Sequence, residues 1–192
     1  MTTANNLPAL HRGALDATRR YVGGIDADQL ELPTPCEGWN VRELLNHIVA
    51  GNLWAAELAG GRTIADVGTA LDGDVLGTNI AAAYDASAEA AARAFEAPDA
   101  LDAPCAVSYG PVPGSVYAGH RLVDVLIHGW DLATATGQPA DLDPLLVDAC
   151  WDVVRPQLAL LQASGAFGTE VSGRTGDANP QTSLLAALGR TD

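Results

Sequence analysis

A chain of 192 residues lies within the length of one domain and is long enough to bury a core that folds without staples. Hydrophobic residues make up 48% of it against 18% charged, and many of them are Ala, which favours closely packed helices over sheets rich in Val, Ile and Thr. The formal charge of -14, with every basic residue an Arg, repels phosphate backbones and disfavours nucleic-acid binding.

The first predicted helix begins near Pro8, a good first-turn residue, and ends at Gly23 and Gly24, read as a left-handed cap. Leu10, Ala14, Ala17 and Tyr21 share its packing face. A loop rich in Pro and acidic residues follows. It ends at Asn40, a candidate N-cap, with Glu43 as the reciprocal half of a capping box, so the second helix runs from about Val41 to Gly60 and Gly61. Residues 62–73 read as a loop, and "DVLGTNIAAAYDASAEAAARAFEAP" as a long third helix stopped by Pro98. Its stripe is Ile80, Tyr84, Ala88, Ala91 and Phe95.

Cys105 to Tyr109 is strand-like, followed by a turn with two prolines and two glycines. The fourth helix runs from about Ser115 to Thr136, closed by Gly137 and Pro139. In the fifth, Asp143 is the N-cap and Pro144 the first residue, while Pro156 removes an amide donor and should kink it. A polar linker follows Phe167, then the short apolar turn "SLLAALG". These elements predict an all-α bundle of four main helices with an additional short helix and a short strand-like segment before the fourth. They imply one domain over 1–192, in which 166–192 is a linker and short terminal helix.

The three cysteines, Cys36, Cys105 and Cys150, are odd in number and far apart, which suits a reducing cytoplasm rather than a disulfide framework. The N-terminus lacks the apolar core of a signal peptide, and no run of about 18 apolar residues occurs. The expectation is a cytoplasmic protein with no membrane partner.

"DVLIHGWDLA" (124–133) carries the chemistry of interest. Residues four apart on a helix lie about 40° from each other around the axis, so His120, Asp124 and His128 form one row with Asp131 beside it. An imidazole and a carboxylate at that spacing can hold one divalent ion. The opposite face, Leu122, Val125, Leu126, Gly129 and Ala133, is apolar, so the row equally fits the solvent stripe of an amphipathic helix. Taken alone, this helix favours the solvent stripe.

His47 lies in the row Leu44, His47, Gly51, Trp54 and Leu58, which faces other helices. Most lone histidines of that kind are satisfied core residues. Yet a buried His on one helix and an Asp/His pair on another, meeting in a bundle core, are a known way to build a metal site. Three such ligands leave a fourth position open, as a catalytic zinc requires. Asp131, three after His128, could orient the imidazole or lie exposed. His120 is read as a surface residue, a substrate contact or an additional ligand. Trp39 and Trp130 read as core anchors before stacking platforms. Cys36 is assigned no role, since Glu37 beside it disfavours a thiolate.

Two blocks carry a family resemblance. "TPCEGWNVRELLNHIVAGN" (34–52), with its W-N-V-R-x-L-x-x-H core, and "HRLVDVLIHGWDLATATG" (120–137), with its H-x-W-D-L-A core, resemble the signatures of actinobacterial proteins related to the metal-binding domain of mycothiol-dependent maleylpyruvate isomerase. That group lies within the DinB-like superfamily. The tail "GDANPQTSLLAALGR" resembles the ending of its single-domain members. The resemblance implies a DinB-like four-helix bundle and a divalent metal, zinc before nickel or another ion, held by His47, Asp124 and His128. The family's acidic ligand is usually Glu; Asp124 is one methylene shorter, so the helices sit closer or the metal binds more weakly. The isomerase carries a second, C-terminal domain for which 192 residues leave no room, and its isomerase activity is not carried over.

The implied function is a thiol-dependent S-transferase or isomerase-like enzyme, with mycothiol as the thiol and a small electrophilic molecule as substrate. Two alternatives stand: a non-catalytic module in which the ion pins two helices, with no cavity beside it, and a hydrolase using metal-bound water. Homodimerisation through a bundle face is a further expectation.

Overall fold

The computed structural model describes residues 6–158 and 179–190. The chain falls into two compact units, Met1–Ala140 and Asp141–Asp192.

The first unit holds the expected four-helix bundle: α1 (Leu7–Val22), α2 (Val41–Ala59), the single turn α3 (Ile64–Val67), α4 (Ile80–Glu96) and α5 (Gly114–Ala135). A hairpin of β1 (Pro104–Val107) and β2 (Gly110–Pro113) precedes α5. Each long helix packs on two others, in the ring order α1, α5, α2, α4. Leu44, Leu45, Ile48 and Val49 of α2 meet Tyr84 of α4 and Leu132 of α5 in one buried cluster. The Tyr84 hydroxyl donates to the Leu15 carbonyl at 2.8 Å, tying α4 to α1. No helix among the described residues is long and apolar enough to cross a membrane.

The capping box at Asn40 and Glu43 is present and starts α2 where expected. Four local readings need correction. Gly23 at the end of α1 is right-handed, not left-handed, because the Tyr21 carbonyl is satisfied instead by the Gly24 amide at 2.9 Å and the Gln138 side chain at 3.0 Å. Gly24 is small for another reason: a Cβ there would lie 2.5 Å from Gln138 Oε1. The loop at 62–73 contains α3, which the Thr63 and Asp66 capping box nucleates. The third predicted helix starts at Ile80 rather than Asp74, since Gly77 adopts a positive φ of 59° and Asn79 caps the Ala82 amide. It ends at Glu96 with Ala97 extended, the conformation forced on a residue before proline.

The fourth correction concerns the hairpin. The supposed turn Gly110–Pro113 is itself a strand, paired antiparallel with Pro104–Val107, and only Ser108 and Tyr109 turn. Pro104 faces Pro113 and Ala106 faces Pro111, so every proline occupies the alternate pairs of the ladder. Antiparallel ladders exchange amide hydrogen bonds only at every second pair, which is how three prolines fit in two short strands.

His11 on α1 has no exposure and stands edge-on to Phe95, ring centroids 5.1 Å apart. Neither of its ring nitrogens has a hydrogen-bond partner among the described residues. Burial, foremost, and the nearby charge of Arg121 push its pKa down to about 3.

In the second unit, Asp143 caps α6 (Pro144–Val154) by accepting from the Leu145 amide at 2.8 Å. Pro156 falls in a 3-10 turn over Arg155–Gln157, where the α-helical pattern stops. The linker read beyond Phe167 lies outside the described residues up to 178. The terminal apolar turn is a helix, α7 (Pro180–Ala187), which packs on α6; Trp151 Nε1 donates to the Pro180 carbonyl at 3.2 Å.

Candidate metal centre

The sequence row His120, Asp124, His128 and Asp131 does not form a solvent stripe. α5 is buried nearly all round, and Asp124 and His128 of that row meet His47 of α2. The two helices run in opposite directions there. His47 meets Asp124 and His128, whereas Gly51 and Asn52, a turn further along α2, meet Arg121.

His47 Nε2 lies 3.4 Å from Asp124 Oδ1, and His128 Nε2 lies 3.6 Å from the same oxygen. One donor atom from each residue falls within 4.8 Å of the other two. In a tetrahedral zinc site with bonds of about 2.0–2.1 Å, donor atoms stand about 3.4 Å apart, so these separations fit the edges of such a tetrahedron. The side chains of His47, Asp124 and His128 remain 35%, 28% and 13% exposed, so the cluster opens on one side rather than being sealed. Gly51 leaves room on α2 for the Arg121 guanidinium that holds Asp124, since a Cβ there would lie 2.5 Å from Arg121 Nη1.

The other carboxylate oxygen is occupied. Arg121 Nη1 donates to Asp124 Oδ2 at 2.8 Å, and its Nη2 donates to Asn52 Oδ1 at 3.2 Å. Asn52 in turn donates to Ser87 Oγ at 3.3 Å, carrying the network to α4. Burial opposes the Asp124 charge more than any other single effect. The Arg121 charge, a hydrogen bond from His47 and the neighbouring imidazoles together outweigh it and hold the carboxyl below the usual carboxylate range.

Asp131 is fully buried, not exposed, and its Oδ2 stands 2.9 Å from His128 Nδ1. With the Nδ1 proton donated there, Nε2 keeps its lone pair for the Asp124 side. The Cys36 thiol donates to the same Asp131 oxygen at 3.1 Å and lies 3.5 Å from His128 Nδ1. Cys36, His128 and Asp131 thus form a second group with donor atoms within 4.8 Å. Its members already satisfy one another by hydrogen bonds, which suits a support for the first group.

His120 belongs to neither group; its Nδ1 pairs with the Tyr109 hydroxyl at 2.6 Å. Trp130 is a core residue as read, but Trp39 is not. It is 37% exposed, with its ring centroid 4.7 Å from that of His47 and 6.2 Å from that of His128. Beside it a cavity of about 440 Å³ opens between Trp39, Arg42, Glu43, Asn46, His47 and Asp74.

Sequence reading missed Arg121, Asn52 and Cys36. Arg121 left a usable signal, since Arg and Asp three apart on a helix are neighbours. Cys36 left none, because it reaches His128 from a loop 92 positions away.

Comparison with known proteins agrees with the fold. The mycothiol maleylpyruvate isomerase N-terminal domain family matches residues 11–133. Uncharacterized proteins from two strains of Mycobacterium tuberculosis are each 35% identical over 189 residues, covering 94% of this chain and 96% of theirs. Among solved structures, the mycothiol-dependent maleylpyruvate isomerase superposes with a TM-score of 0.62 at 15% identity, and a point mutant of it with 0.64 at 16%. Each alignment covers 86% of this chain and 75% of the other. At that identity the match shows a shared fold, the DinB-like helical bundle. All residues of the candidate centre fall within the matched span. On the strength of that span and of the close relatives, the chain belongs to the mycothiol maleylpyruvate isomerase N-terminal domain family.

Proposed function

We propose that this protein binds one divalent ion, zinc first, through His47, Asp124 and His128, and uses it to activate a low-molecular-weight thiol toward a small electrophile. Family membership supports mycothiol as the thiol and an isomerase-like or S-transferring reaction. The observation that carries the reading is the placement of two imidazole nitrogens from two helices at 3.4 and 3.6 Å from one carboxylate oxygen, with all three donors within 4.8 Å of one another and one side open.

Two nitrogens and one oxygen suit zinc, and nickel after it. A bound ion supplies Lewis acidity, which stabilises a coordinated thiolate at neutral pH. The chain's own residues do the rest. Asp131 holds the His128 proton at Nδ1, leaving Nε2 to bind. Arg121 holds Asp124 Oδ2, so Oδ1 alone is turned to the imidazoles. The cavity beside His47 and Trp39, lined by Arg42, Glu43 and Asn46, has hydrogen-bonding walls for the hydrophilic body of such a thiol. A purely structural ion would call for an enclosed site, and the partial exposure of His47 and Asp124 argues against one.

Elemental analysis of the purified protein and of Asp124→Ala and His128→Ala, paired with calorimetric zinc titration, tests the site. One ion per wild-type chain, absent from both variants, is the expected result. Equal metal in all three would rule out these ligands. Thiol consumption with a panel of electrophiles, compared between the zinc-loaded and chelated protein, then tests the chemistry.

A further inference from the structure

A second cavity, of about 370 Å³, lies further along the seam of α2 and α5. Trp54 and Leu58 of α2, Ile64 of α3, Val107 of β1, Ser108 and Tyr109 at the hairpin turn and Tyr117 of α5 wall it. The local fold builds it. α2 stops at Gly60, the Thr63 and Asp66 capping box fixes Ile64, and a parallel bridge from Thr63 to Ala106 ties that turn to β1. Tyr109 stands at the rim, 62% exposed.

Three features define what fits. The volume is within the range of about 300–1,000 Å³ typical of small-molecule sites. No wall residue carries a charge, and the Arg121 guanidinium, whose charge reaches Tyr117, is already bonded to Asp124 and Asn52, so an anionic guest finds no uncommitted cationic partner in the wall. Tyr117 is 8% exposed; its hydroxyl pairs with no other described residue and is not among the sealed unpartnered polar atoms, so it meets solvent and stands ready to donate to an acceptor. Burial, foremost, pushes its pKa up to about 12, so it remains a neutral donor. At the rim, Tyr109 holds His120, which stands one turn from Asp124 on the same row, about 6 Å along the helix axis.

We propose that this cavity binds a small uncharged molecule with a flat apolar body and one carbonyl-type acceptor, received by the Tyr117 hydroxyl. Naming that guest as the electrophilic substrate rests on the thiol-activation reading above; its binding does not.

The test titrates the full chain, zinc-loaded and after chelation, with acetophenone and with benzoate, the same ring bearing a charge. Acetophenone is expected to bind both preparations alike, and benzoate to bind about tenfold more weakly or not at all. Tyr117→Phe should weaken acetophenone about fivefold while leaving ethylbenzene, which lacks the acceptor, unchanged. Ile64→Glu, at the exposed rim, should weaken both. Equal binding of benzoate and acetophenone, or acetophenone binding indifferent to both substitutions, overturns the proposal. Retained acetophenone binding in a chain that takes up no zinc leaves the cavity assignment standing and refutes the metal reading.

Discussion

Arg121 and Asp124, one helical turn apart on α5, form an ion pair in which Nη1 reaches Oδ2 at 2.8 Å. The guanidinium is nearly buried, with its side chain 8% exposed, and the carboxylate is 28% exposed. Removing one partner leaves the other inadequately solvated. Arg121→Met should therefore destabilise the fold by about 2–3 kcal/mol, less than a sealed pair would lose because Asp124 still touches water. Urea denaturation of the metal-free protein measures it; a change within about 0.5 kcal/mol would mean the pair is energetically idle.

Gly51 has to be small because of that same guanidinium, which a Cβ would approach at 2.5 Å from Nη1 and 2.7 Å from Nη2. Gly51→Ala should cost about 1–3 kcal/mol by forcing Arg121 off Asp124 and Asn52. The cost should shrink markedly in an Arg121→Ala background, since the obstructed group is gone. A double-mutant cycle showing simple additivity would contradict this coupling.

On the proposed metal reading, Asp131 sets affinity through His128. Asp131→Asn keeps the shape but weakens the hold on the His128 Nδ1 proton, so zinc affinity should fall about tenfold or more. A competition titration with a chromophoric chelator reads the change, while far-UV circular dichroism should stay at the wild-type level. Unchanged affinity would detach Asp131 from the site.

His11 sets an acid limit on stability. Its pKa is about 3 in the folded chain against 6.5 for the unperturbed group, so below pH 6.5 the unfolded state takes up a proton that the folded state refuses. Above pH 6.5 both states are neutral and the histidine costs nothing by this route. Between pH 6.5 and about 3 stability should fall by about 1.4 kcal/mol per pH unit from this group, flattening below its folded pKa. His11→Leu should remove that slope. Denaturation curves at pH 7, 5 and 4 compare the two proteins, and parallel pH dependences would show that His11 is accessible to protons in the folded state.

How much of this was legible in the sequence differs from element to element. The Asn40 and Glu43 box, the Asp143 cap and the spacing of Asp124 and His128 are local patterns, and the structure has the caps and helices in those places. The row through His47 reads as facing other helices because interhelical faces repeat at 3.6 residues; Leu44 and Leu58 of it are buried, whereas His47 keeps 35% of its side chain exposed because it lies at the edge of that face. Local pattern could not decide whether the polar row of α5 meets water or another helix, since that depends on what packs there. Nor could it distinguish Asp131 buried from Asp131 exposed, or bring Cys36 from its loop. The hairpin was hidden by its prolines, which look like turn residues until the register puts them all on alternate pairs. The ending of α1 depended on Gln138, which is remote in the chain.

Trp39 leans its indole over His47 with His128 just beyond. A cation bound as proposed between those imidazoles would change the electric field at a chromophore already in place, and the tryptophan emission of the unlabelled protein would then report occupancy. Trp39→Phe would then remove the part of that signal that comes from the indole over His47 and leave the binding heat intact, turning one aromatic contact into an internal gauge of occupancy.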